Sequence, residues 1–168
     1  MTYSYELSPA IADGGNATID ENSSAIYGGF GKIDLGQDDD AADSYNIDEM
    51  DLPTEEPGTT LASATIGTSS SITSSDAMKV AYHLPAMGGF TAGVSFADSG
   101  TNTGTDKTSM GARYTMEAGG AAITLGYATQ TTEAATKDTD ETNMGLKVVS
   151  GDLSLIVSQG TKEAVDED

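Results

Sequence analysis

The chain has 168 residues, enough for one domain. Its 27 Asp and Glu against 7 Lys and Arg leave a net charge of −20, which repels nucleic acid and anionic lipid head groups. With no Cys there is neither a disulfide framework nor thiolate chemistry, and no run of about 18 apolar residues supplies a transmembrane helix.

An acidic, Gly-rich chain with few aromatic residues could be disordered. Regular apolar alternation in its second half argues against that there. Thr2 to Leu7 alternates, with Tyr3, Tyr5 and Leu7 on one face, and reads as a strand. Pro9 ends it, and Asp13-Gly14-Gly15-Asn16 is turn chemistry. Ser23 to Gly36 reads as one strand. Tyr27, Ile33 and Leu35 share a face with Gly29 and Gly31, and Lys32 and Asp34 take the other.

That strand runs into an acidic loop reaching Pro57. Ten carboxylates lie between Asp34 and Glu56, and no Lys or Arg occurs from Ile33 to Met78. Gly58 to Ser75 is polar and low in complexity. It reads either as the returning limb of the loop or as a flexible linker.

Beyond Asp76 a hairpin unit recurs. Ala77–Leu84 carries Val80, Tyr82 and Leu84 on one face and Lys79, Ala81 and His83 on the other. Pro85 to Gly89 turns the chain, and Phe90–Ala97 returns with Phe90, Ala92, Val94 and Phe96 on the apolar face. A polar loop, Asp98–Thr108, leads to Ser109–Met116 (Met110, Ala112, Tyr114 and Met116 apolar, Arg113 opposite). A turn at Glu117–Gly120 then leads to Ala121–Thr129 with Ile123, Leu125 and Tyr127. After a second polar loop, Gln130–Thr142, Asn143–Val149 places Met144, Leu146 and Val148 opposite Lys147. Ser150-Gly151-Asp152 turns into Leu153–Gln159.

Short turns on one rim, longer polar loops on the other and alternation in every strand are the pattern of an all-β, antiparallel, up-and-down transmembrane barrel, with about eight strands in this chain. Its apolar residues would face lipid, with Tyr82, Phe90, Phe96 and Tyr127 near strand ends as interfacial girdles. A soluble β-sandwich or β-helix would alternate too. The second face, built of Gly, Ala, Ser, Thr and isolated bases, suits a water-filled lumen better.

The phrase Phe30-Gly31-Lys32-Ile33-Asp34-Leu35-Gly36, leading into an acidic loop and followed by this hairpin rhythm, resembles the Gram-negative general porins, especially those of α-proteobacterial type. The resemblance implies a single porin-barrel domain over 1–168, forming part of a sixteen-stranded barrel. It also implies a loop at about 37–75 folded inward to narrow the pore. The whole protein would be a homotrimer in the outer membrane, contacting lipid and passing small hydrophilic solutes and ions. Porins end on a strand with a terminal aromatic residue, whereas Val165-Asp166-Glu167-Asp168 looks like loop and Met1–Tyr5 lacks signal-peptide features. The expectation is therefore an internal fragment. The competing class is a secreted or surface β-rich binding or adhesin module.

The site residues expected on this reading are the loop acids Asp38, Asp39, Asp40, Asp43, Asp48, Glu49 and Asp51 as a pore constriction. Facing them would be Lys32, Lys79, Arg113 and Lys147 as basic pore wall. Acids facing bases would set a transverse field that sorts solutes by charge. The alternative is that each base is a rim or solubilising charge. The loop acids could also hold calcium, but their spacing lacks the EF-hand pattern, and a solvated acidic loop is the expectation rather than a metal site. His83 is the single His. No Gly-x-Ser-x-Gly elbow accompanies it, so lumen lining rather than catalysis is expected. Gly28-Gly29-Phe30-Gly31-Lys32 fails as a phosphate loop because Ile33 stands where Ser or Thr is needed. No cofactor and no enzyme activity are expected.

Overall fold

The structure, a computed structural model, describes residues 2–8, 18–47, 72, 77–100 and 105–165. Among the described residues nine strands and one short helix follow in chain order: β1 (Thr2–Ser8), β2 (Thr18–Gly28), β3 (Gly31–Gln37), α1 (Ala41–Tyr45), β4 (Met78–His83), β5 (Phe90–Ala97), β6 (Asp106–Ala118), β7 (Ala121–Glu133), β8 (Asp138–Ser150) and β9 (Leu153–Val165). They form one sheet in the order β1 to β9, every neighbouring pair antiparallel and adjacent in sequence. Among the described residues no helix is long and apolar enough to cross a membrane, so any crossing is made by strands.

One strand expectation is corrected. Ser23–Gly36 is two strands, because Gly28 pairs with Gly31 across a two-residue turn at Gly29-Phe30. Gly31 takes φ 111°, a conformation closed to most L-residues, and a Cβ there would lie 2.1 Å from the His83 carbonyl oxygen. The turn also reassigns Tyr27. It pairs directly with Lys32 and so shares the face of Lys32 and Asp34, not that of Ile33 and Leu35. The other short turns are glycine-built as expected: Gly88-Gly89 and Gly119-Gly120 take φ of 57°, 88°, 61° and 81°, which suit the tight hairpin turns of twisted strands.

The strands also outrun the sequence reading. β6, β7, β8 and β9 each have 13 residues, and the expected loop Gln130–Thr142 shrinks to Ala134–Lys137. The extra length is mostly polar, as in Gln130–Glu133 and Asp138–Thr142, so apolar alternation stops before the strand does. Thirteen residues rise about 43 Å, which at a tilt of about 45° crosses about 30 Å, the thickness of a bilayer core.

Directly paired residues share a face, so the register sorts the whole sheet. On one face Leu35, Val80 and Phe96 form a row, as do Tyr114, Leu125, Leu146 and Val157. This face is apolar yet uncovered: Val80 is 51% exposed and Leu125 46%. Nineteen large apolar side chains are exposed among the described residues, far more than a water-soluble sheet would leave uncovered. The opposite face carries a polar row, Asp34, Ala81, Ser95, Ser109, Gln130, Glu141 and Lys162. That is where the buried residues are, because the segment after β3 lies across it.

Candidate functional site

β3 ends at Gln37 and the chain turns back over the polar face. Five residues, Ala41–Tyr45, make a single helical turn packed against β4, β5, β6 and β7. A helix start leaves its first backbone N–H groups without partners in the helix. Here the wall supplies them. The Ala41 N–H donates to Ser95 Oγ (2.9 Å) and the Ala42 N–H to Ser109 Oγ (3.1 Å). The two hydroxyls, which pair across β5 and β6, lie 2.7 Å apart.

Asp40, the N-cap residue, does not cap the helix with its own side chain. Its carboxylate lies between two wall lysines, 3.1 Å from Lys79 Nζ and 3.3 Å from Lys107 Nζ. Asp40 and the Lys79 side chain are each 1% exposed. Lys79 Nζ also donates to the Asp38 carbonyl. A buried carboxylate is costly unless paired, and two ammonium groups with a backbone carbonyl beside them meet that cost. At the far end of the helix Arg113 donates from Nε to the Tyr45 carbonyl (3.0 Å) and from its terminal nitrogen to the Asn46 carbonyl. These are the last carbonyls of the turn, which have no acceptor role inside the helix and carry its negative dipole end.

Between these clamps the fit depends on glycine. Gly93 and Gly111 are direct partners, and so are Gly126 and Gly145. A Cβ on Gly111 would meet Tyr45 Cβ at 2.7 Å, and one on Gly145 would meet Ile47 Cβ at 2.5 Å. Tyr45 therefore seats on the first pair and Ile47, 1% exposed, on the second. Ala42, Ile72 and Ala128 close a small apolar cluster beneath the turn.

A second polar cluster sits beside Tyr45. Asp34 Oδ2 is 2.8 Å from Lys32 Nζ and 3.2 Å from His83 Nε2, and His83 Nδ1 is 2.9 Å from the Tyr45 hydroxyl. His83 Nδ1 and the Tyr45 hydroxyl share one hydrogen bond, whose donor is set by the imidazole tautomer. Burial holds that phenol above its ordinary range, against the opposing pull of Lys32 and Arg113, so it keeps its proton. Lys32 lies 6.0 Å from the Tyr27 ring, at the outer limit of a cation–π contact.

Of the residues expected from sequence, the structure brings Asp40, Lys79 and Arg113 together at the loop. Lys32 pairs with its own strand neighbour Asp34. Lys147 faces the same way, two residues beyond Gly145 toward the short-turn rim. Asp38 and Asp43 are half-buried and Asp39 exposed, while Asp48, Glu49 and Asp51 lie outside the described residues. Sequence reasoning missed Lys107, which it left in a loop, and it missed Ser95, Ser109, Tyr45 and Ile47. A signal was present in the glycines. Gly93, Gly111, Gly126 and Gly145 sit one per strand on the polar face, each between residues of ordinary strand type. A line of missing side chains across four strands marks a groove.

An antiparallel meander with an exposed apolar face, a polar face opposite and a segment folded onto that polar face is the wall of an outer-membrane barrel. A family model for Gram-negative porins matches residues 2–167. The chain belongs to that family, which places it in the bacterial outer membrane as a porin. The match is to Gram-negative porins as a whole, without resolving the α-proteobacterial type. No curated protein and no solved structure matches the chain.

Proposed function

We propose that the chain forms one barrel-wall domain, 1–168, of a trimeric pore for passive diffusion of small hydrophilic solutes and ions. Its inserted acidic loop, at about 37–75, sets a preference for cations. One observation carries this reading: the segment after β3 is clamped to the polar face by Asp40, Arg113 and the wall serines instead of standing out from the rim. A loop held there puts its carboxylates beside the path of any solute, where little water screens them.

Within the loop the acids divide their work. Asp40 is the anchor, neutralised by Lys79 and Lys107. Asp38, Asp39 and Asp43, with Asp48, Glu49 and Asp51 further along, supply the field. Lys32, Lys79, Arg113 and Lys147 on the wall soften it but fall short of ten carboxylates. The test is the reversal potential of the complete protein in planar bilayers under a salt gradient. Replacing Asp38, Asp39 and Asp43 together with Asn should lower the cation-to-anion permeability ratio while conductance persists. An unchanged ratio would place these acids away from the ion path.

A further inference from the structure

The two wall lysines that hold Asp40 form more than an anchor. Lys79 of β4 and Lys107 of β6 both pair with Ala97 of β5, so the three stand in one row across the polar face. Neighbouring strands lie about 4.8 Å apart, which sets the two lysine backbones about 10 Å from each other with only a methyl group between them. Ala97, 3% exposed, is the floor of that gap. The next row on this face carries Ala81, Ser95 and Ser109 on the same three strands, bringing two hydroxyls alongside. Asp40 fills the gap with one oxygen to each ammonium, Oδ1 to Lys79 at 3.1 Å and Oδ2 to Lys107 at 3.3 Å. We propose that this cradle is an oxyanion-binding site of the barrel wall and that Asp40 is its built-in occupant.

Every residue of the cradle belongs to a strand and none to the loop, so the site outlasts release of the loop. Two ammonium groups facing each other across an alanine repel, and an anion between them removes that cost. Six of the chain's seven bases, Lys32, Lys79, Lys107, Arg113, Lys147 and Lys162, lie on this face. The wall as a whole therefore draws anions toward it once the charge of the loop has moved away. The ligand class follows from the geometry. Two ammonium groups side by side suit a carboxylate, sulfate or phosphate, which offers each of them its own oxygen. Chloride offers a single centre to share between them. A solute that carries such an oxyanion takes the place of Asp40 and loosens the constriction it has to pass. That consequence rests on the pore reading above; the site itself does not.

The effect has a size set by mass action. An anion that binds the bare wall but not the docked state raises the released population by one plus its concentration over its dissociation constant, about ten-fold at about ten times that constant. Cleavage of the loop tracks that population when release and return are fast beside cleavage.

The probe is inorganic sulfate. Limited proteolysis after Asn46 is followed on the complete protein, folded in detergent, in a sulfate series matched by chloride at equal ionic strength, so that general screening is the same in both. The expected result is cleavage that speeds up in proportion to sulfate, reaching about ten-fold over chloride at about ten times the dissociation constant. In Lys107→Gln, which takes away one side of the cradle, cleavage should be faster in both salts and the excess due to sulfate should disappear. Asp40→Asn should lose the excess as well, because no carboxylate remains to be displaced. Equal cleavage of the native protein in sulfate and chloride, or an excess that persists undiminished in Lys107→Gln, overturns the site. Neither result touches the pore reading, which is judged by conductance in planar bilayers. A folded, inserted protein that does not conduct overturns that reading and leaves the sulfate result to decide the site.

Discussion

Gly145→Ala tests the docking of the loop with a single methyl group. Gly145 pairs with Gly126 and Ser158 on the polar face. A Cβ built there lies 2.5 Å from Ile47 Cβ and 2.7 Å from the Ile47 carbonyl oxygen. An ordinary contact needs about 3.5 Å or more, so the loop backbone itself must retreat by about 1 Å. The wall alone should welcome the change, because alanine in a strand is favoured over glycine by about 0.5–1 kcal/mol. Against this stands the burial of Ile47, worth about 1.5–3 kcal/mol. The substitution should therefore release the loop while leaving the barrel as stable as before or slightly more so. Two measurements separate these effects. Heat-modifiable migration in detergent gels reports the barrel and should be unchanged. Limited proteolysis after Asn46 and single-channel conductance report the loop, and both should rise. Gly126→Ala is the internal comparison. Its Cβ would meet Ile47 Cδ1 and Cγ1 at 2.7 Å, the movable end of the side chain, so the effect should be smaller. A Gly145→Ala channel with native conductance and native loop protection would refute the seating of Ile47 on the wall.

Asp40→Asn leaves Lys79 and Lys107 facing each other without their shared carboxylate. Breaking such a buried arrangement costs about 3–5 kcal/mol, so the loop should undock and conductance should rise; a native conductance would count against the anchor. Arg113→Lys loses the planar fork that reaches the Tyr45 and Asn46 carbonyls together and should cost about 1–2 kcal/mol of loop docking, read by the same proteolysis. Leu125→Arg places a charge on the exposed apolar face and should cost about 2–4 kcal/mol of barrel stability near the bilayer midplane, measured by denaturant unfolding in lipid vesicles. A neutral result there would mean that Leu125 does not face lipid.

Alternation and glycine turns were enough to read the hairpins of β4 to β9, their order and their faces. Val80, Val94, Tyr114, Leu125, Leu146 and Leu155 do lie on one face. The physical reason is that a strand's side-chain period is local, and a two-residue turn fixes the register of the next strand. Where local signals are weak the reading failed. Gly28-Gly29-Phe30-Gly31 gives no apolar or polar contrast by which a turn could be told from a small-residue strand, so Tyr27 was placed on the wrong face. The polar ends of β6 to β9 have no alternation at all; pairing with a neighbouring strand, not hydropathy, makes them strands. The loop was legible as a charged segment but not as a docked one. That Asp40 meets Lys79 and Lys107, that Arg113 takes two carbonyls, and that His83 stands between Asp34 and Tyr45 depend on contacts across up to 68 residues of chain. Composition determined that this chain carries an excess of acid. Only the tertiary structure decided which acid is an anchor, because a carboxylate's role follows from the partners around it, and those partners come from strands far along the sequence.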